Sequence, residues 1–279
     1  MTFDGVFGIM DDVLKGINVP SFKGVSVGKI IAFANQKGGI GKTTSAINVA
    51  AAIAQMGKKV LAVDCDPQGN CTSGFGINKK SLRFTSYDLL VGRVSGKDAV
   101  HSTEFQGISV IPANIALAGA EFELVELENR AFRLKNELDK LKDEYDYVVI
   151  DCPPSLGILT INALAASDGV VIPMQCEYFA LEGLSQLMMT IRRTKELYNP
   201  DLEIAGILIT MYNGRLNLST QVLKELKKYY ADKILSEPIP RSVRISEAPS
   251  HGLPICYYDK SSKGAKAYEK VAKELTLRI

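Results

Sequence analysis

One stretch constrains this chain more than any other. The β-branched run Lys29–Ala34 leads directly into Asn35-Gln36-Lys37-Gly38-Gly39-Ile40-Gly41-Lys42-Thr43-Thr44, and the alanine-rich stretch Ser45–Met56 follows at once. A strand that turns through glycines into a helix aims successive backbone N–H groups, and the positive end of the helix, at one point in space. Such a point holds phosphate. Gly38, Gly39, Ile40 and Gly41 supply the cradle and Thr44 opens the helix, while Lys42 is spaced to reach β- and γ-phosphates and the Thr43 hydroxyl to coordinate Mg²⁺. The pattern G-x-x-x-x-G-K-[ST] departs at its first position, where Gln36 stands, and Lys37 adds a second lysine just ahead of the glycines.

The rest of the chain alternates short apolar runs with longer helical patterns. Lys59–Asp64, Ile108–Pro112, Tyr147–Asp151, Gly169–Met174 and Ile204–Thr210 read as further strands. Runs such as Val148-Val149-Ile150 lack polar alternation, as strands do when both faces of a parallel sheet are covered. Helices are predicted over Lys42–Met56, Gly119–Glu144, Leu159–Ala166, Leu181–Tyr198, Leu218–Tyr230 and Ser262–Leu277. The expected fold is α/β, a P-loop NTPase with a mostly parallel twisted sheet and helices on both faces. In such sheets ligands sit outside the strand C-terminal ends. Asp64 and Asp66 follow the second strand and Asp151 ends the Tyr147–Asp151 run, so three carboxylates are expected at the phosphate edge. Asp151 suits the role of holding Mg²⁺ through its water.

With 279 residues and no low-complexity linker, one large domain is expected over 28–279, behind an N-terminal extension over 1–27. In that extension Phe3, Val6, Phe7, Met10, Val13, Leu14 and Ile17 recur at helical spacing, predicting a short amphipathic helix. It either packs on the main domain or docks on a partner or a second copy. The five cysteines (Cys65, Cys71, Cys152, Cys176, Cys256) form no C-x-x-C pair and only two histidines accompany them. Buried, reduced thiols of a cytoplasmic protein are expected, with no zinc site and no Cys/His nucleophile. No apolar run reaches the ~18 residues that span a bilayer.

Several long stretches then resemble one family: Gln36–Thr44, Asp64–Asn70, Leu117–Leu124, Asp151–Ala163, Gln175–Leu187 and Ile239–Gly252. They are similar to the ParA/MinD family of deviant Walker ATPases, closest to the chromosome-type ParA (Soj) proteins that act with a ParB partner in DNA segregation. The resemblance implies an ATPase that uses ATP and Mg²⁺, forms an ATP-sandwich homodimer, binds DNA without sequence preference and is stimulated by a ParB-like protein. It places the chain in the cytoplasm, on the nucleoid. Lys37 matches the signature lysine that reaches the facing subunit's nucleotide, which explains two lysines on one loop. Asp66 matches the aspartate that orients the attacking water, and Asp64 lies near the metal. Pro240 and Ser242 fall in the adenine-contacting loop, where the family's Pro-Arg-Asn is here Pro240-Arg241-Ser242.

The net charge of +2, from 33 basic and 31 acidic residues, hides an asymmetry. Arg215–Arg244 holds seven basic and three acidic residues, whereas Glu121–Glu144 holds five basic and eight acidic. Arg215 and Arg244 match DNA-contacting family positions and Arg241 sits with them. Lys224, Lys227 and Lys228 read equally as DNA contacts or as a solvated helix face. Three other readings of the fold stay open. A MinD-like membrane-cycling ATPase would carry an amphipathic membrane helix beyond Leu275–Ile279, an electron carrier like the nitrogenase iron protein would need cluster-ligating cysteines, and a scaffold would use ATP without turnover.

Overall fold

Apolar runs buried on both faces pair into one seven-stranded sheet. The computed structural model describes residues 28–177 and 180–279, so the predicted amphipathic helix of 1–27 lies outside the described residues. The strands are β1 (Lys29–Phe33), β2 (Val60–Asp64), β3 (His101–Ser102), β4 (Ile108–Ile111), β5 (Tyr147–Asp151), β6 (Gly169–Gln175) and β7 (Glu203–Thr210), in the order β3-β4-β2-β5-β1-β6-β7. All pairs are parallel except β3 on β4. The two-residue β3 is the one strand that the sequence does not announce. It carries no apolar run, and its pairing with Ser109 and Val110 alone makes it a strand.

Side-chain alternation divides the core into two layers. Ile30, Ala32 and Ala34 face one layer and Ile31 and Phe33 the other. Helix α1 (Lys42–Gln55) covers the second layer through Ile47, Ala50, Ala51 and Ile53, and the C-terminal helix Lys263–Arg278 packs beside it through Tyr268, Val271 and Leu275. On the first layer lie Ile158–Ala166, Ala180–Leu197 and Asn217–Tyr230. The chain therefore leaves β1 toward one face and β5 toward the other, which opens a crevice at the C-terminal ends of these adjacent strands. Register fixes what stands there: Phe33 pairs with Asp151, and Asp151 pairs with Asp64.

The single helix expected over Gly119–Glu144 is not one helix. It divides into Leu117–Glu123, a 3-10 turn at Leu124–Glu126, a second at Arg130–Phe132, and Arg133–Leu138. Leu127 is extended and Asn129 takes a left-handed φ of 55°, a conformation asparagine tolerates well. A distant residue holds the break. The buried Asn162 side chain donates to the Arg130 carbonyl at 2.8 Å and accepts from the Leu134 N–H at 3.2 Å. Helical periodicity within the segment carries no trace of that tertiary partner.

Candidate functional site

The glycine loop is tied down from behind. Asn35 is buried, donates through Nδ2 to the Pro173 carbonyl at 2.9 Å and accepts from the Lys37 N–H at 3.1 Å. Thr210, at the end of β7, donates to the Ile40 carbonyl at 2.7 Å, and Gln175 donates to the Gly39 carbonyl at 3.3 Å. With these carbonyls engaged, the N–H groups of Gly38, Gly39 and Gly41 have no acceptor among the described residues. Gly39 and Gly41 adopt φ of +71° and +89°, and an added Cβ would meet nothing closer than 3.7 Å. Conformation rather than space therefore selects glycine at both positions.

The two lysines point to different places. Lys42 is 6% exposed, and its Nζ donates to the Lys37 carbonyl at 3.0 Å, inside its own loop. Burial holds its pKa below the ordinary lysine value, opposed chiefly by the nearby Asp151 carboxyl and also by Asp66. Lys37 turns outward and pairs with Glu177 at 2.5 Å, both side chains being about half exposed. Such a pair contributes about 0–1 kcal/mol, so another anion readily displaces it. Beside Lys37 a cavity of about 500 Å³ opens between Gln36, Pro154, Gln175, Glu182 and Gln186.

The three expected carboxylates do meet at this edge, in three different environments. Asp64 is fully buried and accepts from the Thr72 N–H at 2.8 Å, the Thr72 hydroxyl at 2.7 Å and the Asp66 N–H at 3.1 Å. Burial nevertheless pushes its pKa up to about 6, against those hydrogen bonds. Asp66 is 7% exposed and accepts from the Gln68 N–H at 2.9 Å. Asp151 is fully buried, and neither oxygen has a hydrogen-bond partner in bonding geometry. Burial holds its carboxyl well above the usual range and neighbouring Asp64 adds to this, while the nearby Thr43 hydroxyl and Lys42 ammonium oppose it. An orphaned buried carboxylate beside a threonine hydroxyl suits a divalent cation. Mg²⁺ is bound by one or two carboxylates plus substrate phosphates, and Asp151 with Thr43 offers that kind of partial site.

Thr72 is the functional neighbour that sequence reasoning missed. It belongs to the short helix Asn70–Gly74, and besides donating to Asp64 its hydroxyl accepts from the Ala113 N–H at 2.8 Å. A threonine six residues after Asp66 carries no signal by itself. Thr72→Val is expected to destabilise the chain by about 2–4 kcal/mol, because it orphans the Ala113 N–H and strips Asp64 of a donor; chemical denaturation measures it. The cysteines are buried free thiols with pKa values raised by burial, poor nucleophiles as expected.

The remaining predicted residues lie farther along the same edge. Tyr212, just past β7, bridges to Pro240, so Pro240 and Ser242 stand beyond β7, with β6 and β7 between them and β1. Arg215 and Arg241 are exposed on these two adjoining segments. Arg244 is also exposed but engaged, 3.3 Å from Glu247 and 3.8 Å from Asp259. Lys224, Lys227 and Lys228 lie on Asn217–Tyr230, and Lys228 pairs with Glu225 at 2.8 Å. Among the described residues no helix is long and apolar enough to cross a membrane.

Comparison with known proteins agrees with this geometry. A family described as "AAA domain" matches residues 28–204. The chain is 56% identical over 249 residues to the sporulation initiation inhibitor protein Soj of Bacillus subtilis, covering 89% of this chain and 98% of Soj. It is 49% identical over 252 residues to the chromosome partitioning protein ParA of Caulobacter vibrioides, covering 90% and 94%. Among solved structures, cobyrinic acid a,c-diamide synthase from Mycobacterium smegmatis with bound ATP analogue and magnesium superposes with a TM-score of 0.78 at 39% identity, covering 88% and 93%. ATP and Mg²⁺ are thus the cofactors that this loop and its aspartates fit. Identity of this extent, along nearly the whole of both chains and on a shared nucleotide-binding fold, makes this chain a member of the ParA/MinD family of deviant Walker P-loop ATPases, in its Soj and ParA chromosome-partitioning branch.

Proposed function

We propose that the chain is a slow, Mg²⁺-dependent DNA-partitioning ATPase: ATP binding drives a sandwich homodimer, the dimer binds DNA without reading its sequence, and a ParB-like protein stimulates hydrolysis and release. The division of labour between the two lysines carries this reading. Lys42 lies within its own loop, where its ammonium meets the β- and γ-phosphates. Lys37 leans outward on a weak pair with Glu177, where a second copy's nucleotide can take it over. The N–H groups from Gly38 to Thr44 hold the phosphates, and Pro240 and Ser242 flank the adenine. Thr43 and Asp151 hold the metal, and Asp64 adds negative charge behind Asp151. Bound Mg²⁺ neutralises charge on the phosphate oxygens. Asp66 accepts a hydrogen bond from the attacking water and orients it in line, so positioning and charge neutralisation supply most of the catalysis. Slow turnover suits a switch.

DNA contact falls to the exposed Arg215 and Arg241, with Arg244 joining when it leaves Glu247. Contacts of this kind neutralise phosphates, so affinity falls steeply with salt. Arg215→Glu is expected to weaken DNA binding roughly tenfold at ~100 mM salt, by replacing one phosphate contact with a repulsion, and to leave ATP affinity unchanged. Fluorescence anisotropy with labelled duplex DNA and, separately, with labelled nucleotide checks both halves. The reading as a whole is tested by phosphate release with and without DNA and a ParB-like protein. Turnover that neither addition raises would contradict it.

A further inference from the structure

A second cavity, of about 630 Å³, is lined by Arg83, Phe84, Arg93 and Ser95 from the chain leading to β3 and by Arg133 and Glu137 from helix Arg133–Leu138. None of these residues belongs to the glycine loop or is one of the three site aspartates. The Phe84 carbonyl lies 3.1 Å from His101 Nε2, which places the cavity at the β3 edge of the sheet, the opposite end from β7 and the exposed Arg215 and Arg241. Three guanidinium groups and two carboxylates line it, and the carboxylates are engaged. Glu137 accepts from the Gly96 N–H at 2.8 Å and from the Lys140 ammonium at 2.5 Å, and Asp98 accepts from the Ser95 hydroxyl at 2.6 Å. The guanidiniums are held in place but not neutralised. Arg133 donates through Nε to the Leu90 carbonyl at 3.0 Å, and its Nη2 lies against Gly92, where any Cβ would displace it. Arg83 lies over the Phe84 ring at 4.9 Å and Arg93 over the Tyr87 ring at 4.8 Å. Among the described residues neither Arg83 nor Arg133 has an ion pair, and Arg93 has only long ones, 4.0 Å to Asp88 and 3.8 Å to Glu123. The turn between them also leaves the Val94 and Ser95 N–H groups without an acceptor among the described residues.

We propose that this cavity binds a small ligand through its phosphate groups, separately from the nucleotide at the glycine loop. Its volume falls in the ~300–1,000 Å³ range of small-molecule sites. Guanidinium forks match phosphate oxygens with paired, charge-assisted hydrogen bonds, and the long, exposed pairs of Arg93 are ones that an incoming dianion displaces. Arg133 is already fixed by Leu90 and Gly92, so little freedom is lost when it takes up a phosphate. An acidic protein segment would meet the same charges, but beyond Phe84 and Val94 the lining offers a peptide little apolar surface to anchor on. Inorganic polyphosphate and a nucleotide share the phosphate chemistry, and the Phe84 ring is the group that tells them apart, by stacking on a base. The inference goes beyond the partition reading and does not depend on DNA binding or turnover.

The test uses the full chain with ADP and Mg²⁺ already on the glycine loop, titrated calorimetrically with pyrophosphate in one arm and with adenosine monophosphate in the other. Pyrophosphate is expected to bind. Arg83→Ala and Arg133→Gln are each expected to weaken that binding roughly tenfold or more, the loss of one charge-assisted contact. Glu137→Gln is expected to tighten it about twofold or more by removing a negative charge from the lining, a gain that general loosening of the fold would not give. Arg83 is exposed and unpaired among the described residues, so Arg83→Ala is expected to keep the parent's melting temperature, ADP affinity and basal ATP turnover. Tighter binding of adenosine monophosphate than of pyrophosphate, with the difference removed by Phe84→Leu, would identify the ligand as a nucleotide; the reverse order would identify it as a polyphosphate. Binding of neither probe would overturn the proposal, as would binding indifferent to Arg83→Ala and Arg133→Gln, which displacement of ADP from the glycine loop would produce. A glutamate-rich peptide that binds through Arg83 while neither phosphate probe does would overturn it as well.

Discussion

Replacing Asp66 with alanine is expected to lower the rate of phosphate release at least ~100-fold, the lower end of what a positioned acid–base group contributes, while ATP affinity changes less than about twofold. The asymmetry follows from what each group touches. In the proposed mechanism affinity rests on the loop N–H groups, Lys42 and a metal held at Thr43 and Asp151, none of which depends on the Asp66 side chain. Asp66 stands two residues past the β2 edge, nearly buried, and its carboxylate is steadied by the Gln68 N–H at 2.9 Å. Losing that hydrogen bond costs about 0.5–1.5 kcal/mol, too little to unfold a domain of this size. The variant is therefore expected to collect in the ATP-bound state and to retain DNA. Stopped-assay phosphate release together with nucleotide titration reads both quantities. Turnover within twofold of the parent chain would remove Asp66 from the chemistry and leave it a turn-forming residue.

Asp151→Asn is expected to change stability and function in opposite directions. A buried carboxyl whose folded pKa lies above its unfolded value, about 3.9, favours the fold most below that value. The advantage is lost as pH rises through the folded pKa. Asp151 is such a group, fully buried with both oxygens unpartnered. Asparagine has nearly the same shape and does not titrate. Without metal, the variant and the parent are expected to melt together near pH 4. As pH rises toward 8 the variant is expected to become the more stable of the two, because only the parent then buries an uncompensated charge. With Mg²⁺ and ATP the order reverses. The parent recovers the cost of its buried charge by holding the cation, and asparagine does not, so Mg²⁺-dependent nucleotide affinity is expected to fall roughly 10–100-fold, the loss seen even for groups one step from an ion. Melting curves against pH, with and without Mg²⁺ and ATP, measure both. A variant that binds Mg²⁺ and ATP as the parent does would show that Asp151 is not a ligand.

Much of the architecture was legible because it is written in local pattern. Six of the seven strands follow from unbroken apolar runs such as Tyr147–Asp151 and Glu203–Thr210, since a strand covered on both faces needs nothing else. The glycine loop was legible for a similar reason: Gly39 and Gly41 occupy left-handed conformations that other residues resist, so their spacing reports backbone shape directly. Short helices such as Ser86–Leu90 and Val243–Glu247 were not legible, being too brief to show a period.

Local sequence is enough to specify the sheet, the phosphate loop and the arrival of Asp64, Asp66 and Asp151 at one edge, because each depends on residues close together in the chain. What those aspartates become is settled in three dimensions. Thr72 and the Asp66 N–H satisfy Asp64 while neither Asp151 oxygen has a partner in hydrogen-bonding geometry, although the two residues are register partners across β2 and β5. Packing likewise turned one predicted helix into two around Asn162, and so left Phe122 facing solvent between glutamates instead of lying along a longer covered face. Both outcomes have one cause. A polar group's charge and a helix's end are set by which donors and acceptors reach them in space, and those partners lie many residues away along the chain.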